Sequence, residues 1–246
     1  MIDTHCHILP GIDDGPRDLA EALEMARIAV ADGIQTVVAT PHLDCERNAL
    51  SPDFLRDQVA QFNAALAEAQ IPLTVLPGAE IRIGADLLER AKAGSLMTLA
   101  DRGTHLLLEL PFNSYPSYVP QLFFGLQLLG LAPILAHPER TALFRTHPEV
   151  IQGLVDRGAL IQVNADSLTR WRDRTVRALA FDLLKHGAVD LLASDAHDTR
   201  HRPPQLSRAR RALRRHGGDE AFARFTQTNP SRLLSTQPAR RPEPKA

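Results

Sequence analysis

The sequence predicts an α/β fold in which seven parallel strands alternate with helices and close into a barrel. Three observations carry this. At 246 residues the chain has the length of one α/β barrel. Apolar runs of strand length begin every 27–37 residues, each followed by a helical pattern, with no sequence repeat beneath the spacing. Nearly every such run ends in a histidine, an aspartate or a glutamate. An open sheet would gather its site at one switch point, whereas a closed barrel brings all its strand ends to one rim.

The expected strands are 2–5, 36–39, 73–79, 105–110, 133–136, 160–163 and 189–193. Several are almost wholly apolar, as strands covered on both faces should be. The helix expected at 18–31 would place Leu19, Ala22, Leu23, Ala26 and Val30 on one stripe, with Gly33 as its stop. Pro16 and Pro52 suit first helical positions, the latter behind a Ser51 cap. Pro148 should open a helix that ends near Gly158, and 169–186 a longer one ending at Gly187. This reads as one domain over 1–234, followed by a Pro-rich, charged tail at 235–246 expected to be disordered.

Composition narrows the class. With 44% hydrophobic and 23% charged residues the chain is not wholly disordered, and it can bury a core without staples. Two cysteines, Cys6 and Cys45, fit a reducing compartment. The start, MIDTHCHILPG, lacks the basic lead and apolar run of a signal peptide. The most apolar stretch, 122–136, is too short to span a bilayer and is interrupted by Gly125, Gln127, Gly130 and Pro133. A cytoplasmic location without membrane insertion is expected.

A net charge of −1 conceals an asymmetry. From Arg200 onward 12 Lys+Arg stand against 3 Asp+Glu, so that end carries +9 and the remainder −10. A basic end can attract an acidic protein, a nucleic acid or a membrane surface. Solvated helix faces explain it without any partner, because Arg208, Arg210, Arg211, Arg214 and Arg215 crowd one short segment. No nucleic-acid partner is expected.

The strand ends carry the chemistry. The first gives His5 and His7, the second His42, the third Glu80, the fourth Glu109, the fifth His137, and the seventh Asp195 and His197. Asp13 and Asp14 follow the first strand in a tight GIDDG turn, either of them able to join the donor set. Residues two apart on a strand face the same way, so His5/His7 and Asp195/His197 are ready-made chelating pairs. Mixed imidazole and carboxylate donors suit zinc, manganese or iron rather than calcium or magnesium alone. Nine donors exceed the needs of one ion and suit two or three bridged by a carboxylate.

Arg140 and Arg202 follow His137 and His197 closely and should overhang the same rim, where guanidinium forks match phosphate oxygens. His105 begins a strand at the opposite end. His147 precedes a helix, while His186 and His216 sit by glycines at helix ends, so all four read as structural. Cys6 should point away from its histidine neighbours into the core. A cysteine phosphatase needs Arg six positions after its nucleophile, where Cys6 has Ile12 and Cys45 has Ser51. Arg215–His216–Gly217 imitates the RHG of histidine phosphatases but ends a basic helix instead of following an early strand.

MIDTHCHILPGIDDGP, ATPH, PGAEIRI, LLLELP, LAHPER, QVNADSL and SDAH together resemble the PHP (polymerase and histidinol phosphatase) superfamily. Within it they are most similar to the bacterial protein-tyrosine phosphatases of capsular and exopolysaccharide operons, in matching order from Met1 to about Arg202. The resemblance implies a distorted (β/α)7 barrel and a trinuclear, usually manganese-dependent site. By position, one ion would take His5, His7, Glu80 and Asp195. A second would take Glu80 as a bridge with Glu109 and His137, and a third Asp14, His42 and His197. The phosphate-binding arginines would fall at Arg140 and Arg202. The implied substrate is a phosphotyrosine protein, such as the tail of a tyrosine kinase of polysaccharide synthesis. In that reading Phe112, Tyr115 and Tyr118 either wall the phenyl ring or simply pack.

Rival readings are a histidinol-phosphate phosphatase of the same superfamily, an amidohydrolase and an inactive scaffold. Amidohydrolases often carboxylate a mid-barrel lysine, but Glu109 stands on the fourth strand and the chain's lysines are Lys92, Lys185 and Lys245. A complete donor set argues against a scaffold.

Overall fold

Nine short strands, all paired in parallel, are found among the described residues. They are β1 (Ile2–Cys6), β2 (Thr36–Ala39), β3 (His42–Leu43), β4 (Thr74–Pro77), β5 (Glu80–Arg82), β6 (His105–Glu109), β7 (Ala132–Ala136), β8 (Leu160–Asn164) and β9 (Leu191–Ala193). The computed structural model describes residues 1–43, 50–147, 149–169 and 173–235. Cys45, Pro148 and the expected tail beyond Ser235 lie outside them, and Ser235 itself ends a helix.

The strand expected at 36–39 is β2, and the one expected at 73–79 is β4, which ends at Pro77. After breaks at Pro41 and at Pro77–Gly78 each is followed by a short strand that was not expected, β3 and β5. Proline cannot donate to a ladder and bends the chain, so pairing passes to a new neighbour after each break. The ladders accordingly run β1-β2-β4 and β3-β5-β6-β7-β8-β9. Past the last of these, Asp195 N donates to His5 O at 2.8 Å and His7 N to Ala196 O at 2.9 Å. Cys6 and Ala196 form a parallel bridge there.

Ten α-helices among the described residues flank the strands: α1 (Leu19–Ala31), α2 (Pro52–Glu68), α3 (Leu87–Lys92), α4 (Val119–Leu128), α5 (Ala142–Thr146), α6 (Glu149–Val155), α7 (Arg174–Lys185), α8 (Ser207–Ala212), α9 (Gly218–Ala223) and α10 (Asn229–Ser235). Ser51 caps α2 through Phe54 N, with Pro52 at the first position as expected. Pro16 does not open α1, because Asp18 accepts from Glu21 N and is the cap. The buried face of α1 is Ala22, Met25, Ala26 and Ala29, rotated from the expected stripe. Its alanines let the helix lie close to the sheet, whereas Leu19 in the first turn stays 46% exposed. Asp173 caps α7 through Val176 N, so the helix expected from 169 begins at Arg174. No helix among the described residues is long and apolar enough to cross a membrane.

Strand alternation divides the interior into two regions. Val38, Leu107, Ile134 and Leu191 pack together with Leu233 and Leu234 of α10. Leu106, Leu108, Leu135, Ile161 and Leu192 turn the other way into the larger core beneath the helices. Glu109 follows Leu107 by two residues and shares its face. The inner surface is therefore apolar along the strands and becomes polar where they end.

Candidate metal centre

The strand ends bring all nine predicted donors into one cluster. His5, His7, Glu80, Glu109, His137, Asp195 and His197 are buried, His42 is half-buried and Asp14 is exposed. Their donor atoms fall into four overlapping sets, each within 4.8 Å: His7/Asp14/His42/His197, His5/His7/Glu80, His5/His137/Asp195 and His42/Glu80/Glu109. His7, expected in one group, thus borders two. Glu80 is central: Oε2 lies 3.3 Å from His5 Nε2, 3.4 Å from His7 Nε2 and 3.1 Å from His42 Nδ1, and Oε1 2.8 Å from His137 Nε2.

Local backbone geometry aims these groups. His137 directly follows β7 and Asp195 comes two residues after β9, and both adopt left-handed φ values, 32° and 51°. Such a conformation is costly for non-glycine residues and concentrates at functional sites. A Cβ on Gly15 would collide with the His7 carbonyl oxygen, so only glycine lets the GIDDG turn fold back over His7.

Several supporting residues were not predicted. Asp13 Oδ2 accepts from His7 Nδ1 at 2.6 Å and from the His42 backbone N at 2.9 Å, orienting the His7 ring and tying down the His42 backbone while its neighbour Asp14 faces the cluster. His5 Nδ1 donates to Gln162 Oε1 at 2.7 Å, Gln162 Nε2 to Asn164 Oδ1 at 2.8 Å, and Asn164 Nδ2 to Asp195 Oδ2 at 2.7 Å. This chain fixes two donors from one strand, on which Gln162 and Asn164 share a face. Arg82 Nε lies 3.7 Å from Glu109 Oε2 and lines the cavity; its two-residue spacing from Glu80 was the available signal.

Arg140 and Arg202 reach the rim as expected. Their guanidinium groups donate to the same oxygen, Asp195 Oδ2, at 2.8 and 2.6 Å. Arg140 also lies over the Phe112 ring, 4.9 Å from its centre. Of the three aromatic residues considered, Phe112 lines the cavity, while Tyr115 packs against Phe144 and Tyr118 belongs to the surface. The cavity measures about 570 Å³, within the range of small-ligand sites. Cys6 is fully buried facing away, and burial pushes its thiol pKa well up. His147 pairs with Glu149 at the surface, and His186 and His216 follow helix ends, as their structural reading requires.

Electrostatics tie the donors together. Burial disfavours the His7 imidazolium, but Asp13 and Glu80 outweigh it and raise its pKa to about 10. Burial likewise opposes a charged His137, yet Glu80 raises it to about 9. Burial lowers His42 and His197. Burial and then the Glu80 charge lift Glu109 to about 6, whereas the hydrogen bond with His197 holds Asp14 well below its ordinary value.

The residues fit a divalent ion. Asp195 Oδ2 accepts from Asn164, Arg140 and Arg202, while the buried Oδ1 has no hydrogen-bond partner and lies 3.4 and 3.6 Å from the Nε2 atoms of His5 and His7. An orphaned carboxylate oxygen beside two imidazole nitrogens is satisfied by a cation.

The chain is similar to known proteins over its described length. The family model described as "Capsular polysaccharide synthesis, CpsB/CapC" matches residues 1–235. Tyrosine-protein phosphatase YwqE of Bacillus subtilis is 38% identical over 245 residues, spanning 100% of this chain and 96% of that protein. A solved structure from the pair YwqE of Bacillus subtilis and CpsB of Streptococcus pneumoniae, described as unique metal-dependent tyrosine phosphatases, matches with a TM-score of 0.90. It is 37% identical and covers 98% of this chain and 100% of that one. Histidinol phosphate phosphatase of Lactococcus lactis, 13% identical over 88% of this chain and 94% of that one, shares the fold at a TM-score of 0.55. With the model matching from the first residue to the last described helix, the chain belongs to the CpsB/CapC family of capsular polysaccharide synthesis.

Proposed function

We propose that this protein is a metal-dependent phosphatase of protein phosphotyrosine. The observation that carries the reading is the meeting of two arginines and an imidazole–carboxylate cluster at one carboxylate, Asp195. Family membership supports it, since similar proteins bear the name tyrosine-protein phosphatase. Nine residues, His5, His7, Asp14, His42, Glu80, Glu109, His137, Asp195 and His197, are assigned as the ligands of two or three ions. Manganese is the first choice by resemblance, and zinc or iron suits the same donors. The two ladders are read as a single distorted (β/α)7 barrel, joined at Cys6–Ala196 and at the breaks before β3 and β5.

Divalent ions held there supply a nucleophile at neutral pH and polarise the phosphoryl group. The chain's own groups do the rest. Arg140 and Arg202, held by Asp195 Oδ2, present guanidinium forks that bind phosphate oxygens and offset charge developing on the transferring group. Phe112, beside His137 and Arg140 in the lining of the cavity, offers an apolar ring against which a phenyl group can pack. Asp13, Gln162 and Asn164 keep the donors in place through turnover. The natural substrate is assigned as a tyrosine-phosphorylated segment of a kinase of capsule or exopolysaccharide synthesis.

The test compares manganese-supported turnover of a phosphotyrosyl peptide and of histidinol phosphate. The reading requires the peptide to be the better substrate by kcat/KM. Preference for histidinol phosphate would transfer the protein to the small-molecule phosphatases.

A further inference from the structure

The positive end of the chain folds into a concave surface beside the site. Arg177 and Phe181 of α7 face Arg208 and Arg211 of α8, with Arg215 and His216 in the turn that follows, around a hollow of about 570 Å³. All four of these α7 and α8 residues except Phe181 are exposed, as is Arg215. Phe181 forms part of the floor, with the His216 ring 5.2 Å away and the Arg177 guanidinium 5.4 Å over its face. Arg210, on the neighbouring side of α8, pairs with Asp219 at 2.7 Å. Arg177, Arg208, Arg211 and Arg215 form no such pair among the described residues.

The lining of this hollow adjoins, along the chain, that of a second cavity of about 300 Å³, which shares Phe112, Arg140 and Arg202 with the catalytic pocket and is completed by Asn164, Asp166, Ser167, Asp173 and Val176. The basic hollow begins at the adjoining positions, Leu168, Thr169 and Arg177. From Asp173 to Phe181 helix α7 advances about 12 Å at 1.5 Å per residue, the reach of about four residues of extended chain.

We infer that this arginine-lined hollow docks an acidic stretch of the substrate polypeptide while its phosphotyrosine occupies the metal centre. The inference rests on the phosphatase reading and adds a specificity determinant to it. Carboxylates a few residues from the phosphotyrosine would meet guanidinium groups already clustered in one concavity, where opposite charge speeds encounter and fixes register. An anionic membrane is the less suitable occupant. Among the described residues, the large exposed apolar side chains, Leu19, Phe54, Tyr118, Phe124 and Leu128, lie on or beside other helices, so none of these supplies this face with an apolar anchor.

The test uses the manganese-loaded full chain and four substrates: p-nitrophenyl phosphate, a phosphotyrosyl peptide with neutral flanks, and two peptides carrying Asp/Glu blocks on the N- or C-terminal side. The wild type should favour one acidic peptide over the neutral one by about tenfold in kcat/KM, through KM, with the advantage shrinking as salt rises. Arg211→Glu/Arg215→Glu should remove that advantage and leave p-nitrophenyl phosphate turnover unchanged, which also reports folding. Arg211→Gln/Arg215→Gln should remove part of it. Equal kcat/KM for neutral and both acidic peptides in the wild type would overturn the inference and leave a solvated helix face. Loss of binding to phosphatidylserine vesicles in the Glu variant, with peptide kinetics unchanged, would overturn it in favour of a membrane. Failure of the wild type on every phosphotyrosyl substrate would instead refute the phosphatase reading.

Discussion

The Nε2 atoms of His5 and His7 face each other across 3.2 Å, each ring held from behind on Nδ1, His5 by Gln162 and His7 by Asp13. With both Nδ1 atoms engaged, the two Nε2 lone pairs meet unless something positive stands between them. In the metal-free site that is a proton on His7, whose pKa rises to about 10 because Asp13 and Glu80 outweigh the cost of burial. A metal ion replaces it.

Ion binding should therefore release protons. His7 and His137, with pKa values of about 10 and 9 against an ordinary 6.5, are both charged at pH 7.5 in the metal-free protein. Ligands must be neutral, so about two protons should leave on loading at pH 7.5, and fewer as pH passes 9 to 10. Because the folded values are raised, these groups stabilise the metal-free fold fully below 6.5 and lose that contribution as pH rises through 9 to 10. Calorimetric titration in buffers of different ionisation enthalpy measures the release, and a value near zero would disprove it.

Asp13 should govern metal affinity without touching substrate. Its carboxylate serves His7 Nδ1, His42 N and Gly15 N together. Asp13→Ala is expected to raise the manganese concentration for half-maximal activity about 10- to 100-fold. Asp13→Asn, which keeps an acceptor, should raise it less. An unchanged metal requirement would show that the turn holds itself.

Removal of either arginine should act on turnover. Arg140→Ala or Arg202→Ala is expected to lower kcat/KM on p-nitrophenyl phosphate by about 10²–10³-fold with bound metal retained. Lysine should restore little, since a single ammonium cannot reproduce the fork. Metal content measured beside the kinetics separates this from loss of the ions.

Cys6 offers the opposite prediction. Buried and with its pKa pushed well up, it is neither nucleophile nor ligand. Cys6→Ala should keep most activity at a stability cost of about 1 kcal/mol, read by thermal melting, and thiol reagents should leave the folded enzyme active. A folded but inactive Cys6→Ala would reopen thiol chemistry.

The legible part of the sequence was its punctuation. Apolar runs ending in His, Asp or Glu located eight of the nine clustered side chains, because polarity at a strand terminus needs no knowledge of neighbours; Asp14, in the turn after the first strand, came from the family resemblance. The short strands β3 and β5 beyond Pro41 and Pro77–Gly78 were harder, since two or three residues show no period and only the ladder reveals the change of partner. Asp13 shared a turn with Asp14, and only the folded turn shows Asp13 behind His7 and Asp14 beside His42 and His197. Gln162 and Asn164 support His5 and Asp195 from another strand, a relationship that exists only after folding. Leu19 was misplaced because a regular stripe does not say how closely a helix lies on its sheet.

Anomalous diffraction from crystals of the manganese-loaded protein tests the central assignment most directly. At least two peaks should lie within the cluster, one of them beside Asp195 Oδ1, Glu80 Oε2 and the Nε2 atoms of His5 and His7. A fully active preparation with no peak among these atoms would contradict it.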